Sequence, residues 1–147
     1  MRPELDISLA LIIVIIFSGC MDDREQTPVP QNITPVIPVA TITADVETGL
    51  VILNHRSGDE IPVGDLIIII EQGDLYAIYE KIGRADDRFT KGDTLNLTLD
   101  SVRLNRIKLE ARISISSSGV PATKTSISLV SNGELFARIV SPYGFFR

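Results

Sequence analysis

The sequence predicts an all-β domain, either an antiparallel β-sandwich or a small open barrel of about eight short strands. Over most of the chain after Thr41, apolar and polar residues alternate with a period of two, as strands with one buried face require. Turn sequences rich in Gly, Asn and Asp separate these stretches. An α+β alternative, with a helix over residues 102–112, is the second interpretation.

The predicted strands follow in chain order from these patterns. They cover residues 41–46, 50–54, 66–70, 75–79, 95–99, 107–115, 124–130 and 135–140. Val102 and Leu104 fall on the opposite parity to the strands on either side, which predicts a turn or bulge near Asp100 and another near Asn105. Asn132-Gly133 is the strongest hairpin signal in the chain.

Two of these strands have the clearest patterns. Residues 66–70 form a continuous run of Leu and Ile, which predicts a central strand covered on both faces. Residues 107–115 alternate strictly, with apolar side chains on one face at Ile107, Leu109, Ala111, Ile113 and Ile115. In a helix the same residues would lie all round the axis, so the alternation favours a strand.

The amino-terminal sequence predicts export. Residues 7–21 have no charged side chain, but at about 1.5 Å per helical residue they are shorter than the roughly 30 Å hydrocarbon core of a bilayer. This length favours the apolar part of a secretory signal over a stable membrane span. We therefore interpret residues 1–20 as a signal peptide or membrane anchor, and the protein as exported and anchored at the cell surface.

The apolar run ends in Ser18-Gly19-Cys20, which resembles the lipobox of bacterial and archaeal lipoproteins. A cysteine thiol can form a thioether to a lipid, and two acyl chains hold a protein stably on a membrane. We expect lipid attachment at Cys20; in the alternative, Cys20 is a small apolar residue that ends an anchor. Because Cys20 is the only cysteine, an internal disulfide framework is excluded.

Residues 21–39 predict a disordered tether between the anchor and an extracellular β-domain at residues 40–147. Pro28, Pro30, Pro35 and Pro38 favour extended polyproline II over helix or sheet. Asn32, within this tether, begins an Asn-x-Thr sequon for N-glycosylation. A second sequon begins at Asn96 in the β-domain. If the protein is exported, as predicted, we expect both asparagines to be possible glycosylation sites.

Charge and composition exclude several classes of function. The formal net charge of −5 argues against a nucleic-acid partner, because phosphate binding needs clustered Lys and Arg. A single His and a single Cys exclude zinc sites built from several such residues. Asp86, Asp87 and Asp93 border a loop but do not follow the spacing of a calcium loop. We therefore predict neither a metal nor a cofactor.

Two turns carry a resemblance to a known family. The first runs from His55 through Gly58 and Asp59 into the next strand, and the second leads through Gly92 and Asp93 into another. Together they resemble the extracellular β-domain of archaeal type IV pilin-like proteins over about residues 42–99. The resemblance implies display at the cell surface, here behind a lipoprotein-type signal instead of the long apolar helix with which members of that family build filaments.

Two hypotheses for function follow. The first is a non-catalytic, surface-tethered, pilin-like β-domain for adhesion or for contacts with other envelope proteins, because the chain has no nucleophile motif such as Gly-x-Ser-x-Gly. In this hypothesis His55 forms a hydrogen bond across the turn at residues 57–59. The alternative is an envelope ligand-binding lipoprotein or enzyme with a pocket near His55 and Asp59. An open pocket where these side chains converge would favour the alternative.

Overall fold

A computed structural model describes residues 36–116 and 118–147 of the chain. These residues belong to one structural unit, Val36–Arg147. The predicted signal peptide or anchor, the lipidation residue Cys20, the sequon at Asn32 and residues 21–35 of the predicted tether lie outside the described residues. No helix within the described ranges has the length and apolar character needed to cross a membrane.

Twelve strands and one 3₁₀ turn, Val63–Asp65, make up the regular structure of the described residues. The strands are β1 (Ala40–Glu47), β2 (Leu50–Gly58), β3 (Ile61–Pro62), β4 (Leu66–Gln72), β5 (Leu75–Glu80), β6 (Arg88–Phe89), β7 (Thr94–Thr98), β8 (Val102–Leu104), β9 (Ile107–Leu109), β10 (Arg112–Ser116), β11 (Thr125–Ser131) and β12 (Glu134–Ser141).

Two five-stranded antiparallel sheets form a β-sandwich, which confirms the predicted all-β class. Sheet I has the order β9-β8-β7-β2-β1 and sheet II the order β10-β5-β4-β11-β12. The short strands β3 and β6 pair with each other in a separate two-stranded sheet. Within the described residues the two large sheets share no strand pair and are not closed into a barrel, so of the two predicted architectures the arrangement is that of the sandwich.

The core lies between the two sheets and is built from alternate residues of the strands. Leu53 and Leu95 enter it from sheet I, and Ile68 and Ile127 enter it from sheet II, all with no solvent exposure. Each such side chain contributes about 1.5–3 kcal/mol when it is fully buried. The period-two pattern of the sequence is therefore the physical origin of the fold.

The hairpin predicted at Asn132-Gly133 is confirmed. It joins β11 to β12, and both residues have positive φ, 53° at Asn132 and 82° at Gly133. A two-residue hairpin of this kind needs positive φ at both central positions, which Asn and Gly adopt at least cost.

The predicted strand at residues 66–70 is also confirmed, as β4 in the centre of sheet II. The prediction that both faces of this strand are covered is wrong for one face. Leu66, Ile68 and Ile70 are buried against sheet I, whereas Ile67 and Ile69 are only half-buried on the opposite face. An apolar run gives strand length but does not show that both faces are covered.

The single strand predicted at residues 107–115 is wrong, because it is two strands in different sheets. β9 forms an edge of sheet I and β10 an edge of sheet II, and Glu110 and Ala111 connect them. The amide of Gly83 donates a 2.7 Å hydrogen bond to the carbonyl oxygen of Glu110 at this crossing. The helical alternative for residues 102–112 is wrong as well: β8 and β9 form a hairpin there, with positive φ at Asn105.

The two sides of the sandwich differ. On one side the edge strands β1 and β12 contact each other across the two sheets. On the other side lie β9 and β10, and a cavity of about 420 Å³ opens there between residues of both sheets, including Val102 and Ile113. We call this second side the open side of the sandwich.

Candidate functional site

His55 lies near the end of β2 with its imidazole directed into the protein. The residue is 2% exposed, and its Nε2–H donates a 2.7 Å hydrogen bond to the carbonyl oxygen of Asp59. Its ring meets the ring of Phe89 edge-on at a centroid distance of 5.2 Å. The structure thus contains the hydrogen bond that the sequence predicts across the turn at residues 57–59.

The rest of His55 is also held in place. Its amide donates to the carbonyl oxygen of Asp93 at 3.1 Å, and its carbonyl oxygen accepts from the amide of Gly92 at 2.9 Å. The second ring nitrogen, Nδ1, is buried and has no hydrogen-bond partner among the described residues. A general base must reach a substrate proton. A buried ring whose Nε2 is bound to the backbone is better suited to joining two turns.

Asp93 organises the second of these turns. Its Oδ2 accepts hydrogen bonds from the amide and the hydroxyl of Thr90, at 2.9 and 3.0 Å, and its Oδ1 accepts from Nδ2 of Asn105 at 3.0 Å. Partial burial opposes ionisation, but these hydrogen bonds, together with the electrostatic effect of the neighbouring His55, hold the pKa of Asp93 below its ordinary value. Both carboxylate oxygens are therefore used in hydrogen bonds that stabilise the turn.

The turn at Gly58 and Asp59 fixes the start of the domain. The amide of Val39 donates to Asp59 Oδ2 at 3.0 Å, and the amide of Asp59 donates to the carbonyl oxygen of Val39 at 2.9 Å. Gly58 has a φ of 98°, and a Cβ there would overlap the backbone of Val39 and Ala40. Asn132 Nδ2 also donates to the carbonyl oxygen of Val36 at 3.1 Å, so the contacts of the domain begin before residue 40.

A cavity of about 500 Å³ lies beside Asp59, lined by residues that include Pro38, Glu60 and Ser131. His55 does not line it. Asp59, Asp93 and His55 come together, as the alternative hypothesis requires, but they do so through backbone and turn hydrogen bonds and not around an open pocket.

The loop that contains Asp86 and Asp87 is separate from this cluster. Asp87 Oδ2 accepts a hydrogen bond from the amide of Arg84 at 2.6 Å, and Asp86 is exposed. Arg88 donates to the carbonyl oxygen of Ala85 at 2.7 Å. Across residues 36–116 and 118–147, no three His, Cys, Asp or Glu side chains are grouped closely enough to hold a metal ion.

The outer face of sheet II, the face away from the core, carries an apolar surface. Strand register places six apolar residues on this face in adjacent rows, and we call them the outer patch: Ile67, Ile69, Tyr76, Ile78, Val130 and Leu135. Tyr76 is 40% exposed and Leu135 is 54% exposed, and the four others are half-buried. A shallow depression of about 240 Å³ lies over Ile69, Tyr76 and Ile78.

The outer face of sheet I is polar by contrast. Asp45, Ile52, Asn96 and Arg103 form one row across it, so its single isoleucine has polar neighbours. The sequon residue Asn96 is half-buried in this row, and its Oδ1 has no partner in the described part of the chain. An apolar patch on the outer face of only one sheet distinguishes sheet II as the candidate contact surface.

Gln72 is a structural residue that the sequence analysis missed. It is 5% exposed, and its Oε1 accepts hydrogen bonds from the amides of Phe145 and Phe146 at 2.8 and 2.7 Å. Its Nε2 donates to the carbonyl oxygen of Ala122 at 2.6 Å. Gln72 follows Ile68 and Ile70 at inward positions of β4, and this parity was the available signal that it would be buried.

Comparisons of the chain with known protein families, with curated proteins and with solved structures found no match.

Proposed function

We propose that this protein is a non-catalytic, surface-tethered β-domain that binds other proteins of the cell envelope through the outer patch of sheet II. The resemblance to the pilin-like β-domain and the lipoprotein-type signal support display outside the membrane. Lipid attachment at Cys20, with the membrane as the site of anchoring, is part of the same proposal.

The difference between the two outer faces is the observation that carries the proposal. Exposed strands normally alternate apolar residues toward the core with polar residues toward water. Sheet I follows this rule except at Leu50 and Ile52, with Asp45, Asn96 and Arg103 on its outer face. Sheet II departs from it at the six positions of the outer patch, which include Ile67, Ile69 and Tyr76, although Glu71 and Ser128 also lie on this face. A contiguous apolar surface of this kind is typical of a protein-binding site.

The buried state of His55 supports binding over catalysis. Its Nε2 is bound to the carbonyl oxygen of Asp59, and the cavity beside Asp59 does not include His55. The alternative hypothesis of an enzyme with a pocket near these residues would need this turn to open.

Photo-crosslinking tests the proposal in the cells that make the protein. A photoreactive phenylalanine analogue replaces Tyr76 in the full chain, and illumination should join the chain to another envelope protein of defined mass. Ile69→Asp should abolish this adduct, because it places a charge in the centre of the outer patch. Ile52→Asp, a matched change on the outer face of sheet I, should leave it unchanged.

Two results would contradict the proposal. One is the absence of any adduct from position 76, and the other is an adduct that survives Ile69→Asp. Circular dichroism of both Asp variants must first match that of the unchanged protein, so that loss of the fold is not mistaken for loss of binding.

A further inference from the structure

The edge strand β10 is built differently from the other edges of the sandwich. It has five residues, Arg112–Ser116, and pairs with β5 in unbroken register. It contains no Pro and no bulge, two features by which natural proteins prevent an edge strand from pairing with another chain. Its one charged residue, Arg112, is at its first position and forms an ion pair with Glu80 of the neighbouring strand.

The other three edges of the two large sheets have such features. β1 pairs with a bulge between Thr41 and Ile42, and the β11–β12 pair has one between Leu129 and Val130. β1 and β12 also contact each other. β9 is only three residues long and has Lys108 at its centre. Among the edges that the structure describes, β10 is therefore the one left open to pairing.

The core-facing side chains next to this edge are incompletely covered. Ile113 and Ile115 of β10 lie opposite the buried residues Tyr79 and Ala77 of β5, so they face the core side of sheet II. Ile113 is nevertheless only half-buried, and Ile115 is 41% exposed. The corresponding residues of the central strand β4, such as Ile68 and Ile70, have no exposure. Another strand beside β10 would bury this apolar surface.

We propose that β10 pairs antiparallel with β10 of a second copy of this chain, with the two-fold axis at Ser114. In this register Ile113 of each copy lies opposite Ile115 of the other, so the isoleucines remain on the core side. Ser114 lies opposite Ser114, and Arg112 lies opposite Ser116. Arg112 is the only charged residue of the strand, so the pairing opposes no like charges. Sheet II of the two copies becomes one continuous sheet.

A second copy is the partner because self-pairing suits the side chains of this strand. Two identical strands paired antiparallel about one central residue are related by a two-fold axis. About Ser114 this symmetry places isoleucine opposite isoleucine and the one charged residue, Arg112, opposite Ser116. Arg112 also forms an ion pair with Glu80 of its own copy, with 3.5 Å between Nη1 and Oε2, so its charge is balanced before pairing. The dimer forms whether or not a partner is bound at the outer patch.

Cysteine crosslinking tests the register in the full chain, in a mild nonionic detergent and with Cys20→Ala to remove the native thiol. Ser114→Cys should form a disulfide-linked dimer on mild oxidation, because opposite Cβ atoms lie about 4.5–5.5 Å apart. Ser116→Cys is the matched control, on the same face of the same strand. Its two sulfurs would be four residues apart along the paired strands, about 13 Å, and should not react.

Disruption of the edge gives the second measurement. Ile115→Lys places a charge on the core side of β10 and should make the full chain monomeric by sedimentation in detergent. Ile107→Lys, in edge strand β9, should leave the dimer intact. The proposal is overturned if Ser114→Cys forms no dimer, if Ser116→Cys crosslinks equally well, or if the protein with Ile115 intact is monomeric. Loss of the dimer in Ile107→Lys alone would also overturn it.

Discussion

At the scale of single residues, His55 joins two turns that are far apart in sequence. Its ring bonds to Asp59, and its backbone bonds to Gly92 and Asp93. His55→Ala should lower the free energy of unfolding by about 2–3 kcal/mol, through the lost hydrogen bond and the cavity left beside Phe89. His55→Gln should lose less, because the Gln amide can still donate to the Asp59 carbonyl. Urea unfolding followed by circular dichroism measures both changes.

An equal decrease in unfolding free energy in these two variants would show that the hydrogen bond to Asp59 does not contribute to stability. A His55→Gln protein that stays folded but loses a measurable catalytic activity would favour the enzyme hypothesis over the binding hypothesis.

Gly58 is required for a different reason, the space around its Cα. Gly58→Ala combines an unfavourable positive φ with overlap between the new Cβ and the backbone of Val39. Gly49→Ala provides a control, because Gly49 has a similar φ of 77° but open space where a Cβ would lie. The Gly49 change should cost about 1 kcal/mol of unfolding free energy, and the Gly58 change clearly more. Thermal unfolding of both variants should show the larger decrease in Tm for Gly58→Ala; equal decreases would contradict this reading of the turn.

Asp93 should make stability depend on pH in acid. Its pKa in the folded protein is lower than its ordinary value of 3.8, so the ionised carboxylate stabilises the fold above about pH 4. That contribution is lost as the pH falls through the pKa of the folded state. Asp93→Asn should be less stable than the unchanged protein at pH 6 and should lose less further stability between pH 4 and pH 2. Asp86→Asn, at an exposed carboxylate, should have the same urea unfolding midpoint as the unchanged protein at pH 6.

At the scale of elements, Gln72 connects β4 to the carboxyl-terminal residues. Gln72→Ala removes one acceptor shared by the amides of Phe145 and Phe146 and leaves these amides without that bond. We expect a loss of about 2–4 kcal/mol in unfolding free energy, and faster hydrogen exchange at both amides. Tyr143→Ala is the control, since its side chain is 66% exposed and should change neither quantity by much. The Phe145 amide also donates to Thr125 Oγ1 at 3.2 Å, so the Phe146 amide is the sharper test. Unchanged exchange at Phe146 in Gln72→Ala would contradict this role.

The sequence predicts strands well where the side chains and the turns give the same information. One hairpin is predicted by two signals: the alternation before and after Asn132-Gly133, and the positive φ that Asn and Gly can adopt in this turn. The structure contains this hairpin. The sequence predicts strands poorly where the chain passes from one sheet to the other. Residues 107–115 keep perfect alternation through the crossing at Glu110, because β9 and β10 both direct the same parity inward.

The candidate sites show the same limit. The contact between His55 and Asp59 is local and could be predicted from the turn sequence. The outer patch could not, because period two places Ile67 and Ile69 on one face of β4 without showing whether that face is covered. The bonds of Gln72 span more than seventy residues, a separation that no local pattern encodes.

At the scale of the whole molecule, the two proposed interactions involve the same sheet. Pairing through β10 would place the outer patches of two copies on one continuous sheet and facing the same way. Two linked binding surfaces raise the overall affinity for a partner that is itself repeated in the envelope, without any new contact. Ile115→Lys should therefore weaken attachment to such a surface even though Ile115 lies outside the outer patch. The photo-crosslink from position 76 measures this: we expect a reduced adduct for Ile115→Lys and an unchanged adduct for Ile107→Lys.

The proposed anchoring would determine where these surfaces act, and Cys20 is the residue that tests it. If the lipid on Cys20 is the anchor, Cys20→Ser should release the β-domain into the medium, since an apolar run of this length does not span a bilayer stably. Ser18→Ala, which keeps a small side chain two residues earlier, should leave the protein in the membrane fraction. An epitope tag after Arg147 allows the protein to be quantified in both fractions. The carboxyl terminus lies at the end of β11 opposite the hairpin that binds Val36, so the tag does not lie at the start of the domain.

Mass analysis of the unchanged protein should find a lipidated Cys20 as the first residue. A Cys20→Ser protein that stays in the membrane would show that residues 1–20 are the anchor themselves.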